Sequence, residues 1–457
     1  VIRWGLVLLL SGCAAFRSYD AELYTTLERA AVGDVDAAIR LLESNNRAPD
    51  KDLLYYLERG MLERLGSRYE ASQKAWHTAN ARIDAVAEDA LAQTAGFARG
   101  MSSYVVGDKL RAYPGYDYEK VMLLTYIALN HLALGDYDGA RVAIKQAHEL
   151  EARIAELRAK QYAEVEEAAR TRGARTSFKE LNGYPVETID TPEVNALRNG
   201  YQSALSHYLA GFIYEALGEP SLAAPGYRLA NELQPGQPLL EEALRGLDVR
   251  ISLARAAPDD GMTELLVIIG TGSAPALQSR QFLLPVSVDN KLLLLSHAFP
   301  VMTPTSYAPL PRELSVEGET LPVARIASID LMARRRLKDD MPSIMLRATI
   351  RTALGATLQY QAQRAADREH TLAMALAAGI VTAGSAVLSS ADDRTWRALP
   401  SDLSIARARV PRGSRTITLH TAEGPRSAAV KLSGRYAVID LRLLRHQLFV
   451  SAPREAR

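Results

Sequence analysis

Cysteine is almost missing from this sequence: its 457 residues hold one, Cys13, so no internal disulfide can form. An excess of either charge is missing too. With 54 Lys and Arg against 53 Asp and Glu, the net charge of +1 gives no overall reason to expect a polyanionic partner. The eight histidines (His77, His131, His148, His207, His297, His370, His420 and His446) are scattered, without the His-x-x-x-His or His-Glu-x-x-His spacing of a metal site. Without a Gly-x-Ser-x-Gly elbow or a second thiol, nucleophilic catalysis has no visible anchor. Gly270-Thr271-Gly272-Ser273 lacks the Gly-Lys-Ser/Thr of a phosphate loop and reads as a turn. The acid pairs Asp339-Asp340 and Asp392-Asp393 are adjacent, so their side chains diverge. Long apolar runs are missing as well, apart from residues 372–388. That run is at the lower edge of a membrane span and rich in Ala, Gly, Ser and Thr, so it reads either as a core helix or as a membrane-contacting one.

The composition is that of a soluble globular protein, 48% hydrophobic and 23% charged, and long enough for two or three domains with full cores. At the start, Arg3 forms a short positive region, residues 4–10 are apolar, and Leu10-Ser11-Gly12 places small residues before Cys13. The pattern resembles the bacterial lipobox, which implies a signal peptide over residues 1–13 and lipidation of Cys13. Ala14 in the following position implies, by the same resemblance, sorting to the outer membrane, with the chain facing the periplasm. Several acyl chains would hold it there without a spanning helix.

Residues 19–255 read as helix almost throughout. Turn signals recur at Gly33-Asp34, Gly66-Ser67, Gly135-Asp136 and Gly218-Glu219. The stretch 201–235 is the clearest unit: its apolar and small residues fall at Ala210, Gly211, Tyr214, Gly218, Ala223, Tyr227, Ala230 and Pro235, with Ala223, Tyr227 and Ala230 on one helical face. A second copy carries Leu124, Ala128, Gly135, Ala140 and Ala147. This spacing resembles the tetratricopeptide repeat, in which small residues let two antiparallel helices approach closely. The second copy departs from it at Ala152, where the closing proline would stand. Residues 149–175 interrupt the pattern as a long charged helix followed by a loop, which reads as a solvated helix that either projects from the repeats or braces them.

At residues 256–261 turn residues mark a linker, and 262–457 change grammar. Strands are expected at 265–269, 281–288 and 291–295, with a tight turn at 289–290. An irregular crossover follows at 300–311 and a helix at 343–370. The tail is expected to form strands at 403–410, 415–420, 428–432, 435–440 and 447–451. The expected fold is therefore α+β and multidomain: an all-α solenoid of tetratricopeptide-like repeats, then a mixed α/β domain ending in a small antiparallel sheet. The lipobox, Tyr118-Glu119-Lys120-Val121, the 208–235 unit and Asp393-Arg394-Thr395-Trp396 with Leu399-Pro400 together resemble a family of uncharacterised repeat-bearing bacterial lipoproteins.

That resemblance transfers no activity. It implies a non-enzymatic scaffold that recruits periplasmic or outer-membrane proteins during cell-envelope assembly or its regulation, with no cofactor, metal or nucleic acid. The alternatives are a structural subunit of an oligomeric secretion or motility machine and a wall-acting hydrolase. The concave face of such repeats would carry Thr125, Leu129, Tyr208, Phe212 and Glu215, either as an open groove for a partner segment or buried against the rest of the chain. From residue 397 onward twelve Lys or Arg stand against four Asp or Glu. Arg407, Arg409, Arg412 and Arg415 would form a face for anionic lipid or cell-wall polymer, or else an ordinary solvated strand face.

Overall fold

The computed structural model describes residues 18–94, 109, 111–174, 176–256, 259–288, 291–304, 310–311, 313–369 and 390–453; in 86–94, 284–288, 291–295 and 352–369 it describes the backbone. Cys13 and the run 372–388 lie outside the described residues. No helix among the described residues is long and apolar enough to cross a membrane.

Among them, α1 (Tyr19–Ala31) pairs with α2 (Val35–Asn45), α3 (Leu53–Leu65) with α4 (Tyr69–Thr94), and α5 (Asp117–Ala133) with α6 (Tyr137–Arg172). After a short α7 (Pro192–Ala196), α8 (Ala204–Ala216) pairs with α9 (Pro220–Leu233), followed by α10 (Pro238–Arg245) and α11 (Leu247–Ala256). The four pairs close through one turn geometry. Gly33, Ser67, Gly135 and Gly218 all have a left-handed φ. In each turn that residue's N–H bonds the carbonyl three residues back and the next N–H bonds the carbonyl five back, as in Gly218 to Glu215 and Glu219 to Tyr214. Glycine tolerates this conformation best; in the second pair the left-handed position falls on Ser67 rather than on Gly66.

Counted from these turns, the four pairs are in register. Seven residues before the left-handed position stand Thr26, Gly60, Ala128 and Gly211; five after it stand Ala38, Ser72, Ala140 and Ala223; nine after it stand Leu42, Trp76, Ile144 and Tyr227. Apart from the two glycines, each of these side chains is at most 2% exposed. The volumes compensate: glycine at the first position accompanies the large Trp76 and Tyr227, whereas Thr26 and Ala128 accompany Leu42 and Ile144. A Cβ on Gly60 would overlap the Trp76 ring, and one on Gly211 would come within 2.6 Å of the Tyr227 ring. A rigid interior forces this trade. Of the other positions marked in the sequence, Leu124, Ala147, Ala210 and Ala230 are buried, Tyr214 is half-buried, and Pro235 lies just past the end of α9.

The second half supplies two sheets and a hairpin. β1 (Met262–Thr271), β6 (Ala324–Ser328), β7 (Asp402–Pro411), β10 (Tyr436–Leu444) and β11 (Gln447–Ser451) form one sheet in the order β11-β10-β1-β7-β6. In it β1 and β10 run parallel, with Val267 beside Ile439. β4 (Glu313–Val316), β5 (Glu319–Pro322), β8 (Gly413–Thr421) and β9 (Gly424–Leu432) form an antiparallel sheet in the order β5-β4-β8-β9. β2 (Leu277–Val288) and β3 (Lys291–Met302) pair only with each other among the described residues. Helix α12 (Ile329–Glu369) leaves β6 directly.

The continuous apolar run of β1 follows from burial on both sides. Leu266 and Ile268 join the core of the helix pairs, whereas Leu265, Val267 and Ile269 join Leu314, Ile417, Leu419 and Val430 of the four-stranded sheet. The layers are thus helix pairs, five-stranded sheet, four-stranded sheet, and one core cluster runs unbroken from the helices into the first sheet.

The fold is mixed α+β, and it differs from the expectation in several respects: the helix expected from 343 begins at Ile329, and β3 runs on to Met302. The tail strands do not form one small antiparallel sheet: β7, β10 and β11 join β1, while β8 and β9 join β4 and β5. Strands β4 to β6 had no counterpart in the reading, because four- or five-residue strands carry too few alternations to register. Only the turn between β4 and β5, at Glu317-Gly318 with φ of 51° and 85°, is a compact hairpin signal.

Candidate functional site

The inner faces of the first helices meet the β half through buried charge. At the position three residues before the turn, α3 carries Arg64 and α8 carries Glu215. Arg64 reaches Asp440 of β10 at 3.0 Å and Asn130 of α5 at 2.6 Å, with all three side chains buried. Glu215 has the opposite charge and a correspondingly opposite partner in the sheet. It accepts from Arg407 of β7 at 2.6 Å, from Arg250 of α11 at 2.8 Å and from the Tyr227 hydroxyl at 2.6 Å. Burial by itself would raise the Glu215 pKa, but Arg250 and Arg407 together hold it below the usual carboxylate range.

The residues that could be read either as an open groove or as buried against the rest of the chain are buried. Thr125, Leu129, Tyr208, Phe212 and Glu215 are all at most 2% exposed. Arg407 lies over the Phe212 ring, and Tyr436 of β10 meets the same ring edge-on at 5.6 Å. The face that repeat scaffolds leave free is covered here by the chain's own sheet. Three of the four arginines of the basic tail face pair with acids of the same chain: Arg407 also bonds Glu264, Arg409 pairs with Asp260 and Glu264, and Arg412 with Asp259, while Arg415 donates to the carbonyls of Pro411, Arg412 and Ser414. Those acids sit on β1 and the segment before it, and sequence distance hid them.

Two more buried acids anchor residues 390–401, which return from α12 to β7. Glu58 of α3 accepts the backbone N–H of Arg397 at 2.7 Å and of Ala398 at 3.0 Å. Its burial, partly offset by those bonds, pushes its pKa up to about 8. Glu119 of α5 accepts the N–H of Trp396 at 2.7 Å, the Tyr113 hydroxyl at 2.6 Å and the Tyr116 N–H at 3.0 Å; burial raises its pKa as well. The Trp396 indole packs edge-on against Trp76. The two short segments that carried the family resemblance, 118–121 and 393–396, therefore meet in space.

The paired acids diverge as expected and each finds a cation: Asp339 with Arg335, Asp340 with Arg158 and Arg336, Asp392 with Arg394, Asp393 with Lys109. Arg158 also bonds Asp117, so the charged helix continues α6 without a break and braces α5 against α12. Gly272 forms a left-handed turn after β1, and Thr271 and Ser401 are joined through their backbones.

On the side of α8 and α9 away from the sheet lies a cavity of 390 Å³, bounded by α6, α8, α9 and the loop before α8. Glu151 and His207 meet in its wall, Nε2 to Oε2 at 2.8 Å, with both side chains 4% exposed. The His148 ring stacks on His207 with centroids 4.2 Å apart. Burial, with His207 adding to it, pushes the His148 pKa down to about 3, so its imidazole is neutral. The sequence reading passed over this pairing because Glu151 and His207 stand 56 positions apart and carry no local signature.

No protein-family model matches the chain, and no curated protein matches it. Among solved structures it is similar to a tetratricopeptide repeat protein from Parabacteroides merdae ATCC 43184, at 13% identity over 50% of this chain and 98% of that chain, with a TM-score of 0.14. A likeness at that TM-score carries no argument about fold or function.

Proposed function

We propose that this chain is a non-enzymatic interaction scaffold, a solenoid of tetratricopeptide-type helix pairs held at the outer membrane by lipid on Cys13, with a role in cell-envelope assembly or its regulation. The observation that carries the reading is the common register of the four helix pairs, counted from four turns of one geometry. Such units gain stability by stacking and present long surfaces to other proteins. Because the inner face is taken by the five-stranded sheet, the partner's contact falls on the outer faces. Cys13→Ser should move the protein from the membrane to the soluble fraction of cells. Crosslinking of the native, anchored protein should recover the same partner repeatedly. Persistence of the Cys13→Ser variant in the membrane fraction would remove the anchor, and recovery of no protein partner would remove the scaffold.

A second reading, a subunit of an oligomeric envelope machine, is favoured by the β2–β3 hairpin, whose outer edges pair with nothing among the described residues. Unpaired edges accept strands from another copy. A mass in solution several times that of one chain would select it over the monomeric adaptor.

A further inference from the structure

The cavity beside α8 contains an acceptor with no donor. Glu151 gives one carboxylate oxygen to His207, while its other oxygen, Oε1, is buried without a hydrogen-bond partner. The Nε2 of His148 is also buried without one. Leaving a buried carboxylate oxygen empty costs stability that neither neighbour recovers. At the rim stands the complementary charge: Arg198 is exposed and has no carboxylate within ion-pair distance among the described residues. Its loop is nonetheless held in shape, since the Asn199 side-chain oxygen accepts the N–H groups of Tyr201 and Gln202. Between floor and rim the wall is apolar or aromatic, with Ala155, Tyr201, Tyr214, Leu222 and Leu229.

We propose that this cavity binds a small zwitterion of amino-acid or short-peptide size. Its ammonium group donates to Glu151 Oε1, its carboxylate meets Arg198, and its aliphatic stem lies against Tyr201, Tyr214 and Leu222. One end of the ligand meets the Glu151 oxygen that His207 leaves unbonded and the other meets Arg198, and charge-assisted bonds of this kind are the strong ones. The volume lies within the range of small-molecule sites. A divalent cation would fit poorly, because no group of three acidic, histidine or cysteine side chains among the described residues is arranged to hold a metal ion. A plain anion would meet the Glu151 carboxylate at the floor.

The test is calorimetric titration of the full chain with 6-aminohexanoate, L-lysine and alanyl-alanine, beside two one-ended probes, pentylamine and hexanoate. The expected result is saturable one-to-one binding of at least one zwitterion, with the one-ended probes weaker by about tenfold or more. Glu151→Gln, which keeps the size of the side chain, should weaken the zwitterion about tenfold, whereas Arg198→Ala should weaken it but leave pentylamine unchanged. Leu222→Trp provides a variant that is indifferent to the internal bonds, since Leu222 is 51% exposed. It should block the mouth with an unchanged melting temperature. Absence of saturable binding to any zwitterion overturns the proposal, as does pentylamine binding as tightly as the zwitterions. Binding unaltered in both Glu151→Gln and Leu222→Trp overturns it too, by placing the site elsewhere. None of these results touches the scaffold reading, which is tested by crosslinking.

Discussion

Arg407 Nη2 lies 2.6 Å from Glu215 Oε1, joining β7 of the five-stranded sheet to the last helix pair across 192 positions of sequence. From sequence, Arg407 could face a polyanion or solvent, and Glu215 could line a partner groove or be buried against the rest of the chain. Each is the other's partner. The Glu215 side chain is fully buried, so Arg407→Ala would leave it with Arg250 and Tyr227 alone in a space closed to solvent. The expected loss is about 3 to 5 kcal/mol of unfolding free energy in urea. Replacing the pair together, Arg407→Met with Glu215→Gln, should recover a large part of it, and a double-mutant cycle measures how much.

Close helix approach predicts a ranking among glycines. A Cβ on Gly226 would lie 2.7 Å from the Gly211 nitrogen and the His207 carbonyl oxygen, backbone atoms that cannot turn aside. Gly226→Ala should therefore cost about 3 kcal/mol, at the upper end for overpacking. Gly218 has open space around its Cβ position but a φ of +73°. Gly218→Ala should cost only the left-handed penalty, about 1 to 2 kcal/mol. Thermal unfolding of the two variants gives the order, and a larger loss at Gly218 would contradict the crossing geometry.

Glu58 makes stability depend on pH with a definite sign. Its folded pKa of about 8 lies above the ordinary carboxyl value, so between the two the folded state holds more proton than the unfolded one. Stability from this group is then greatest at low pH and is lost as pH rises toward 8, by about 5 kcal/mol. His148 acts in the opposite sense below its ordinary value, since its pKa is lowered in the fold and stability rises with pH there. The difference between wild type and Glu58→Gln isolates the carboxyl: unfolding free energy should fall more steeply from pH 6.5 to 8 in the wild type than in the variant, which keeps the raised Glu119.

Glu119 holds the returning chain through the Trp396 N–H, and Glu119→Ala strands that donor and the Tyr116 N–H in the interior. About 3 kcal/mol of stability should be lost. The loss should also be local, with trypsin cutting after Arg394 and Arg397 in folded Glu119→Ala faster than in wild type. Equal cleavage rates would mean that Glu119 is not what holds this segment.

The turns were legible because their chemistry is local. A left-handed residue followed by a helix start needs Gly33, Gly135 or Gly218 at that point, and the small residues at fixed offsets follow from the approach of the two helices. The 265–269 run and the five tail strands could be read for the same reason, from composition over a few positions. What stayed hidden was everything decided by partners far away: the parallel pairing of β1 with β10, the split of the tail between two sheets, and the acids Glu264, Asp259 and Asp260 that neutralise the tail arginines.

Spacing alone determined that this chain builds helix pairs first and strands afterwards, because helix and strand periodicity and turn conformation depend on near neighbours. Only the tertiary structure decided that the inner helix face is covered rather than open. Whether Phe212 or Glu215 meets solvent or a sheet depends on where β7 and β10 dock, and that is set by burying the apolar face of β1 against the helices and pairing charges that local sequence keeps far apart.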